Sequence, residues 1–207
     1  MEGRDMKNVF KYFILASSCV ALTACGSSDS EVPEVKPPQK INIETYPIKQ
    51  TGQIKSYDEN GTEVTSIKDD GYYHKGDTPS YTRDDAKEIV TDHITKLEWQ
   101  DDKNVSTVAK NWKDAQIYCN NLKLYGDDWK LPTRKELVSL SNYGQKDPAI
   151  DSVFKNIVST SYWTSTSYAE ITEEIDDAWY VDFTEHGQFK QNKIEISHVC
   201  CVRKEKS

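Results

Sequence analysis

Five carboxylates, Glu170, Glu173, Glu174, Asp176 and Asp177, follow Tyr168 within ten residues. Oxygen ligands at that density could hold a calcium ion, which takes six to eight of them. The spacing matches no EF-hand loop, so calcium is a possible cofactor that the sequence permits and does not establish, and the metal site is left unknown. Without a metal, the same segment is an acidic surface suited to a neutral or cationic ligand, with the Tyr168 ring as an apolar contact. Tyr168, Glu170, Glu173, Glu174, Asp176 and Asp177 are therefore the candidate ligand-binding residues. Catalysis has less to start from. His74, His93, His186 and His198 stand apart from any nucleophile, and the chain has no Gly-x-Ser-x-Gly, His-Glu-x-x-His or phosphate-loop pattern. The expectation is a protein that is not an enzyme.

Cys25 offers a different chemistry. It comes directly after Leu22, Thr23 and Ala24, which are preceded by Lys7, Lys11 and an apolar run over 13–22 that is too short to span a bilayer as a helix. That order reads as a lipoprotein signal peptide over residues 1–24, with the Cys25 thiol taking a diacylglycerol and several acyl chains together giving firm anchoring. Gly26 stands where an aspartate would favour inner-membrane retention, so the expected location is the cell envelope, at the outer membrane. Residues 25–42 are rich in Ser, Glu and Pro and read as a tether, whose stretch 26–40 alone reaches roughly 45 Å when extended at about 3.1 Å per residue. Residues 43–207 are then the folded domain.

The net charge of −8 argues against nucleic acid and against nonspecific adsorption to anionic lipid or sulfated polysaccharide. Losing residues 1–24 would remove three basic and two acidic residues and make the remainder slightly more acidic. Three further cysteines matter in an oxidising compartment: Cys119, Cys200 and Cys201. Adjacent strand residues point to opposite faces, so only one of Cys200 and Cys201 can easily reach Cys119, and no Cys-x-x-Cys pair favours a metal.

The elements that must carry these groups are short. Residues 54–67 read as a β-hairpin around Asp58-Glu59-Asn60-Gly61. Tyr72, Tyr73, Tyr143 and Tyr168 fall in expected loops, and 89–100 reads as two strands about a turn, where Thr95-Lys96 gives no glycine to favour a positive φ. Asn111 caps a helix whose buried stripe is Trp112, Ala115, Cys119 and Leu122, ending at Gly126. Pro132, Thr133 and Glu136 open a second helix with a capping box before Leu137 and Leu140, which makes Thr133 and Glu136 structural. Strands come next at 162–166 and 178–183, with a turn near 185–187 and a closing strand at 199–202. Trp163 and Trp179 could stack on a sugar, but alternation of Trp179 with Val181 and Phe183 makes it a core residue. Two helices with short antiparallel strands, preceded by a hairpin, make an α+β domain.

The block Trp-Lys-Leu-Pro-Thr-Arg-Lys-Glu-Leu at 129–137, followed by Tyr-Trp-Thr-Ser-Thr at 162–166, Ala-Trp-Tyr-Val-Asp-Phe at 178–183 and Cys-Cys-Val-Arg at 200–203, resembles the C-terminal domain of the Legionella collagen-like protein. The resemblance runs over about residues 50–204 and implies a C-type-lectin-like fold. It also implies a disulfide from Cys119 to Cys201, with Cys200 standing where the family usually has arginine. The resulting expectation is a lipid-anchored, noncatalytic envelope protein that binds a glycan or another surface protein, in adhesion. A structural or accessory subunit of an envelope assembly is the second reading, and an enzyme of the related formylglycine-generating fold the third. The latter's copper-binding cysteine pair is not reproduced by adjacent, diverging Cys200 and Cys201. Oligomeric state is open.

Overall fold

The computed structural model describes residues 46–169, 176–184 and 187–206. The first pairing is β1 (Ser56–Tyr57) with β2 (Glu63–Val64), antiparallel, as the Asn-Gly signal requires. Its turn is wider than two residues. Asp58 closes it by accepting from the Asn60 and Thr62 amides on Oδ1, an Asx-type turn that competes with further strand pairing. Tyr72 and Tyr73, expected in a loop, instead sit in the one-turn helix α1 (Asp70–Tyr73).

Next come β3 (Tyr81–Asp84), β4 (Ile89–Asp92) and β5 (Leu97–Gln100), an antiparallel meander. The β4–β5 turn corrects the expectation drawn from its missing glycine: Lys96 adopts φ 58°. Asp92 compensates, because its Oδ1 accepts from the Ile94 and Thr95 amides and its carbonyl from the Lys96 amide. After the one-turn helix α2 (Asn104–Thr107) and the short β6 (Ala109–Lys110), helix α3 (Trp112–Asn121) begins at Asn111, whose side chain accepts from the Asp114 amide. It buries Ala115 and Cys119 and ends at Asn121, five residues before Gly126. Gly126 serves the following turn at φ 131°.

Helix α4 (Arg134–Val138) has the full capping box: Thr133 Oγ1 accepts from the Glu136 amide and Glu136 Oε2 from the Thr133 amide. Burial pushes the Glu136 carboxyl up, but the Lys130 ammonium at 2.8 Å and the Thr133 amide outweigh it, so the net displacement is downward. A depressed carboxylate stabilises the fold above its unfolded value, about 4.3, and that contribution is lost as pH falls through the folded value. The difference in urea midpoint between pH 7 and pH 3 should therefore shrink in Glu136→Gln; an unchanged difference would remove Glu136 from the acid response.

Four more strands and the closing one complete the domain: β7 (Ser161–Ser167), β8 (Asp177–Asp182), β9 (Gly187–Asn192), β10 (Ser197–His198) and β11 (Val202–Lys204). One sheet has order β6-β10-β7-β8-β9, antiparallel except for β10 with β7; the other is β11-β5-β4-β3. The closing strand is thus shifted, since residues 199–201 form an extended link between β10 and β11. Among the described residues, four helices and several mostly antiparallel sheets make an α+β unit, and residues 44–207 group together.

Adjacent residues divide between two apolar clusters. Val90, Tyr162 and Cys200 join one with Trp99, Leu137, Phe154 and Val181; Ile89, Trp163 and Cys201 join the other with Ala115, Cys119, Trp129 and Leu131. Each is the alternation of an extended chain wedged between two cores. It brings Cys201 to Cys119, where the disulfide forms, and leaves Cys200 a buried free thiol in the opposite cluster. Trp99, Trp129 and Trp163 are buried, whereas Trp179 is only half-buried, contrary to the alternation argument. It lies where β7 bulges between Trp163 and Ser167, so the sheet there is not covered as it is at Val181.

Among the described residues no helix is long and apolar enough to cross a membrane. The signal-peptide, Cys25 and tether assignments lie outside the described residues.

Candidate functional site

A groove of about 500 Å³ runs between the segment 46–51 and helix α4. Its first wall is an extended strap. Pro47 holds Tyr46 out of helical backbone, and a parallel bridge at Lys49 and Asp77 pins the strap, with Gln50 N–H donating to the Asp77 carbonyl (2.9 Å) and Asp77 N–H to the Ile48 carbonyl (2.8 Å). Gly76, at φ 107°, lets the two backbones meet: a Cβ there would press into the Ile48 carbonyl. Beneath the strap, the Lys49 ammonium donates to Asp92 Oδ2 (2.9 Å) and Tyr81 Oη (2.7 Å). Burial holds the Lys49 ammonium below its usual range against the opposing pull of Asp92, and burial also raises the Tyr81 phenol. Removing either charge would leave its partner buried alone, so this pair fixes the wall in place. Further along, the Thr51 carbonyl accepts from the Tyr143 amide.

The second wall is α4 and the chain just beyond it: Arg134, Lys135, Val138, Ser139, Ser141 and Tyr143, with Gln188 of β9 at one end. Local hydrogen bonds set the start of α4. Ser165 N–H in the β7 bulge donates to the Pro132 carbonyl (2.7 Å), and Arg134 N–H donates to Thr166 Oγ1 (3.0 Å). The bulge thereby aims the start of α4 at the groove. Arg134 stacks its guanidinium over Trp179 at 4.2 Å, and Lys135 lies 5.0 Å over the Tyr46 ring. The stack continues past Trp179 to Tyr168, edge-on at 5.4 Å, and to Lys190, 4.2 Å over Tyr168. Half-buried Trp179 is thus part of an aromatic and cationic surface adjoining the groove.

The segment 168–177 meets this surface at its ends. Tyr168 N–H donates to the Asp177 carbonyl (2.9 Å), bringing those two residues together, and the Asp177 carboxylate lies 3.4 Å from Lys190. Asp176 turns away to Lys193, which also covers Trp112. The two described carboxylates thus take separate lysine partners, and among the described residues no group of three or more His, Cys, Asp or Glu is placed to hold a metal. Glu170, Glu173 and Glu174 lie outside the described residues.

The lining of the groove could do a particular kind of chemistry. Tyr46, Ile48, Val138 and Tyr143 offer apolar surface; Gln50 and Gln188 offer amides; Ser139 and Ser141 offer hydroxyls; Arg134 and Lys135 offer positive charge. Among the described residues it contains no Asp, Glu, His or Cys, so none of them there offers a carboxylate, imidazole or thiolate. Stacking, hydrogen bonding and ion pairing with a ligand are all within reach of this set.

Residues 88–203 match the model of the Lcl C-terminal domain, the C-terminal domain of the Legionella collagen-like protein, and the chain belongs to that family. No curated protein matches the chain. The strap at 46–51 precedes the matched region, so this groove has one family wall and one wall from residues outside it. Sequence reading missed Arg134, Lys135 and the strap. A signal was present: on a short helix in an acidic chain, neither Arg134 nor Lys135 has a carboxylate three or four positions away to pair with. Nothing local marks residues 46–51 as a wall, because bonds to Asp77, Asp92 and Tyr143 place them.

Proposed function

We propose that this chain is a lipid-anchored protein of the bacterial cell envelope, at the outer membrane, whose C-type-lectin-like domain binds a glycan or another surface protein without catalysis, in adhesion. The observation that carries the reading is the groove between 46–51 and α4, with aromatic, amide, hydroxyl and cationic side chains that suit ligand contact. Membership of the Lcl C-terminal domain family supports it by analogy. The segment 168–177, which meets the groove wall where Tyr168 packs on Trp179 and Trp179 on Arg134, is a second part of the ligand surface, with its carboxylates as the ligands of any calcium ion that takes part. The runner-up, an accessory subunit of an envelope assembly, would use the same groove for a neighbouring subunit.

The test probes a glycan array and a peptide array with the purified protein, with calcium and with chelator. Two variants accompany it: Gln188→Trp, which fills one end of the groove from an exposed strand position, and the triple alanine replacement of Tyr168, Glu173 and Glu174. Each should weaken binding at least about tenfold; Gln188→Trp should change stability by no more than about 0.5 kcal/mol, as surface substitutions do, and the triple variant should lose about 1 kcal/mol with the Tyr168 ring contacts. Array binding that both variants retain in full would place the ligand elsewhere, and no binding on either array would remove the reading.

A further inference from the structure

We infer that the groove takes an extended, acidic polypeptide segment, which pairs with the outer edge of the 46–51 strap while its carboxylates meet Arg134 and Lys135. This rests on the proposed binding role and narrows its ligand class. The first observation is hydrogen-bond parity in the strap. Its bonds to Asp77 use the Ile48 carbonyl and the Gln50 amide, so the Lys49 N–H and carbonyl point to the opposite edge. That is the edge from which the Thr51 carbonyl receives the Tyr143 amide, and Tyr143 and Thr51 both line the groove. A strand entering the groove finds a backbone donor and acceptor at Lys49, the pattern of strand addition to an edge.

The second observation is charge. The protein carries 34 Asp and Glu against 26 Lys and Arg, yet among the described residues the groove lining holds Lys49, Arg134 and Lys135 and no carboxylate. Lys49 is satisfied beneath the strap by Asp92. Arg134 and Lys135 rest on the rings of Trp179 and Tyr46, and among the described residues neither forms an ion pair. A guanidinium stacked on an indole keeps its edge donors available, and such a fork suits a carboxylate. The third observation is the apolar part of the walls, Ile48, Val138 and the rings of Tyr46 and Tyr143, which can receive alternate side chains of an extended peptide. Local charge here is opposite to that of the carboxylate-rich sequence 168–177, so the groove and that segment would select different features of a ligand.

Three blocked, fluorescein-labelled octapeptides test the inference by anisotropy: alternating Glu-Thr, alternating Gln-Thr, and the Glu-Thr peptide N-methylated at every residue. The Glu-Thr peptide should bind more tightly than Gln-Thr by about tenfold at low salt, with the gap narrowing as salt is raised. Arg134→Gln with Lys135→Gln should erase the difference, and Arg134→Lys with Lys135→Arg should restore most of it. N-methylation, which removes the peptide's donors without altering its charge, should weaken binding by a similar factor if the strap pairs with it. Equal affinity for Glu-Thr and Gln-Thr, or no effect of the double Gln variant, overturns the acidic preference. Indifference to N-methylation overturns strand pairing. If no peptide binds but a glycan does in a Gln188-dependent manner, the inference fails and the binding role survives; if neither binds, both fail.

Discussion

Replacing Asp101 with alanine should destabilise the domain by about 3 kcal/mol, toward the lower end of the cost of breaking a buried ion pair. Asp101 is fully buried, and its carboxylate accepts from Arg83 Nε (2.6 Å), the Lys155 amide (3.0 Å) and the Asn156 amide (2.9 Å). Its own carbonyl accepts from Asn156 Nδ2 (2.6 Å) and Arg83 Nη2 (3.1 Å). One side chain thus ties the end of β5 to β3 and to the loop at 155–156. Alanine leaves two amide donors without acceptors and the guanidinium with Asp85 as its remaining carboxylate. Asparagine should rescue little. It presents one donor where three donors converge, so an N–H must face an N–H. Urea denaturation at pH 7 gives the answer, and a loss under about 1 kcal/mol in the alanine variant would show that water replaces the carboxylate. Against a total stability of about 5–15 kcal/mol, the expected loss is large.

The disulfide between Cys119 and Cys201 should contribute about 2–5 kcal/mol, so the double alanine variant should lose that much. The bridge spans a sequence separation of 82 residues, and in the chain-entropy account a loop of that size restricts the unfolded chain strongly. It joins α3 to the link before β11, which would otherwise be held by the β5 pairing and the isolated bridge at Lys130 and Val202. Cys200 should not substitute. Burial pushes its thiol well above the ordinary range, with Asp101 and Asp102 adding to the effect, and the thiolate is the nucleophile. In the folded protein Cys200 should resist iodoacetamide and become labelled only on unfolding. A nonreducing peptide map joining Cys119 to Cys200, or labelling of native Cys200, would reverse the assignment. A loss under about 1 kcal/mol would show that packing alone holds the link.

The strap gives this family domain a feature that its matched region does not contain. Lys49, buried with Asp92 and Tyr81, converts residues upstream of the match into a wall of the groove. Changing the groove's specificity therefore requires changes on both sides of that boundary.

By itself the sequence determined what short-range chemistry controls. Asn111 and the pair Thr133 and Glu136 start helices because their side chains reach amides three residues away, and the hairpin is set by its own turn residues, with Asp58 accepting from the Asn60 and Thr62 amides. The order of two helices and short strands carried the α+β class, and the family blocks carried the Cys119–Cys201 pairing. Tertiary structure decided the rest. Trp179 alternates like a core residue, but the β7 bulge and the placement of α4 leave it half-buried under Arg134. Lys96 accepts a positive φ because the Asp92 side chain satisfies the turn's amides. Asp101 and Asp102 are buried because the fold brings Arg83, the Lys155 and Asn156 amides, Gln100 and Asn104 around them. The groove belongs to this second class, since its walls lie more than eighty residues apart and meet through hydrogen bonds that no local spacing encodes.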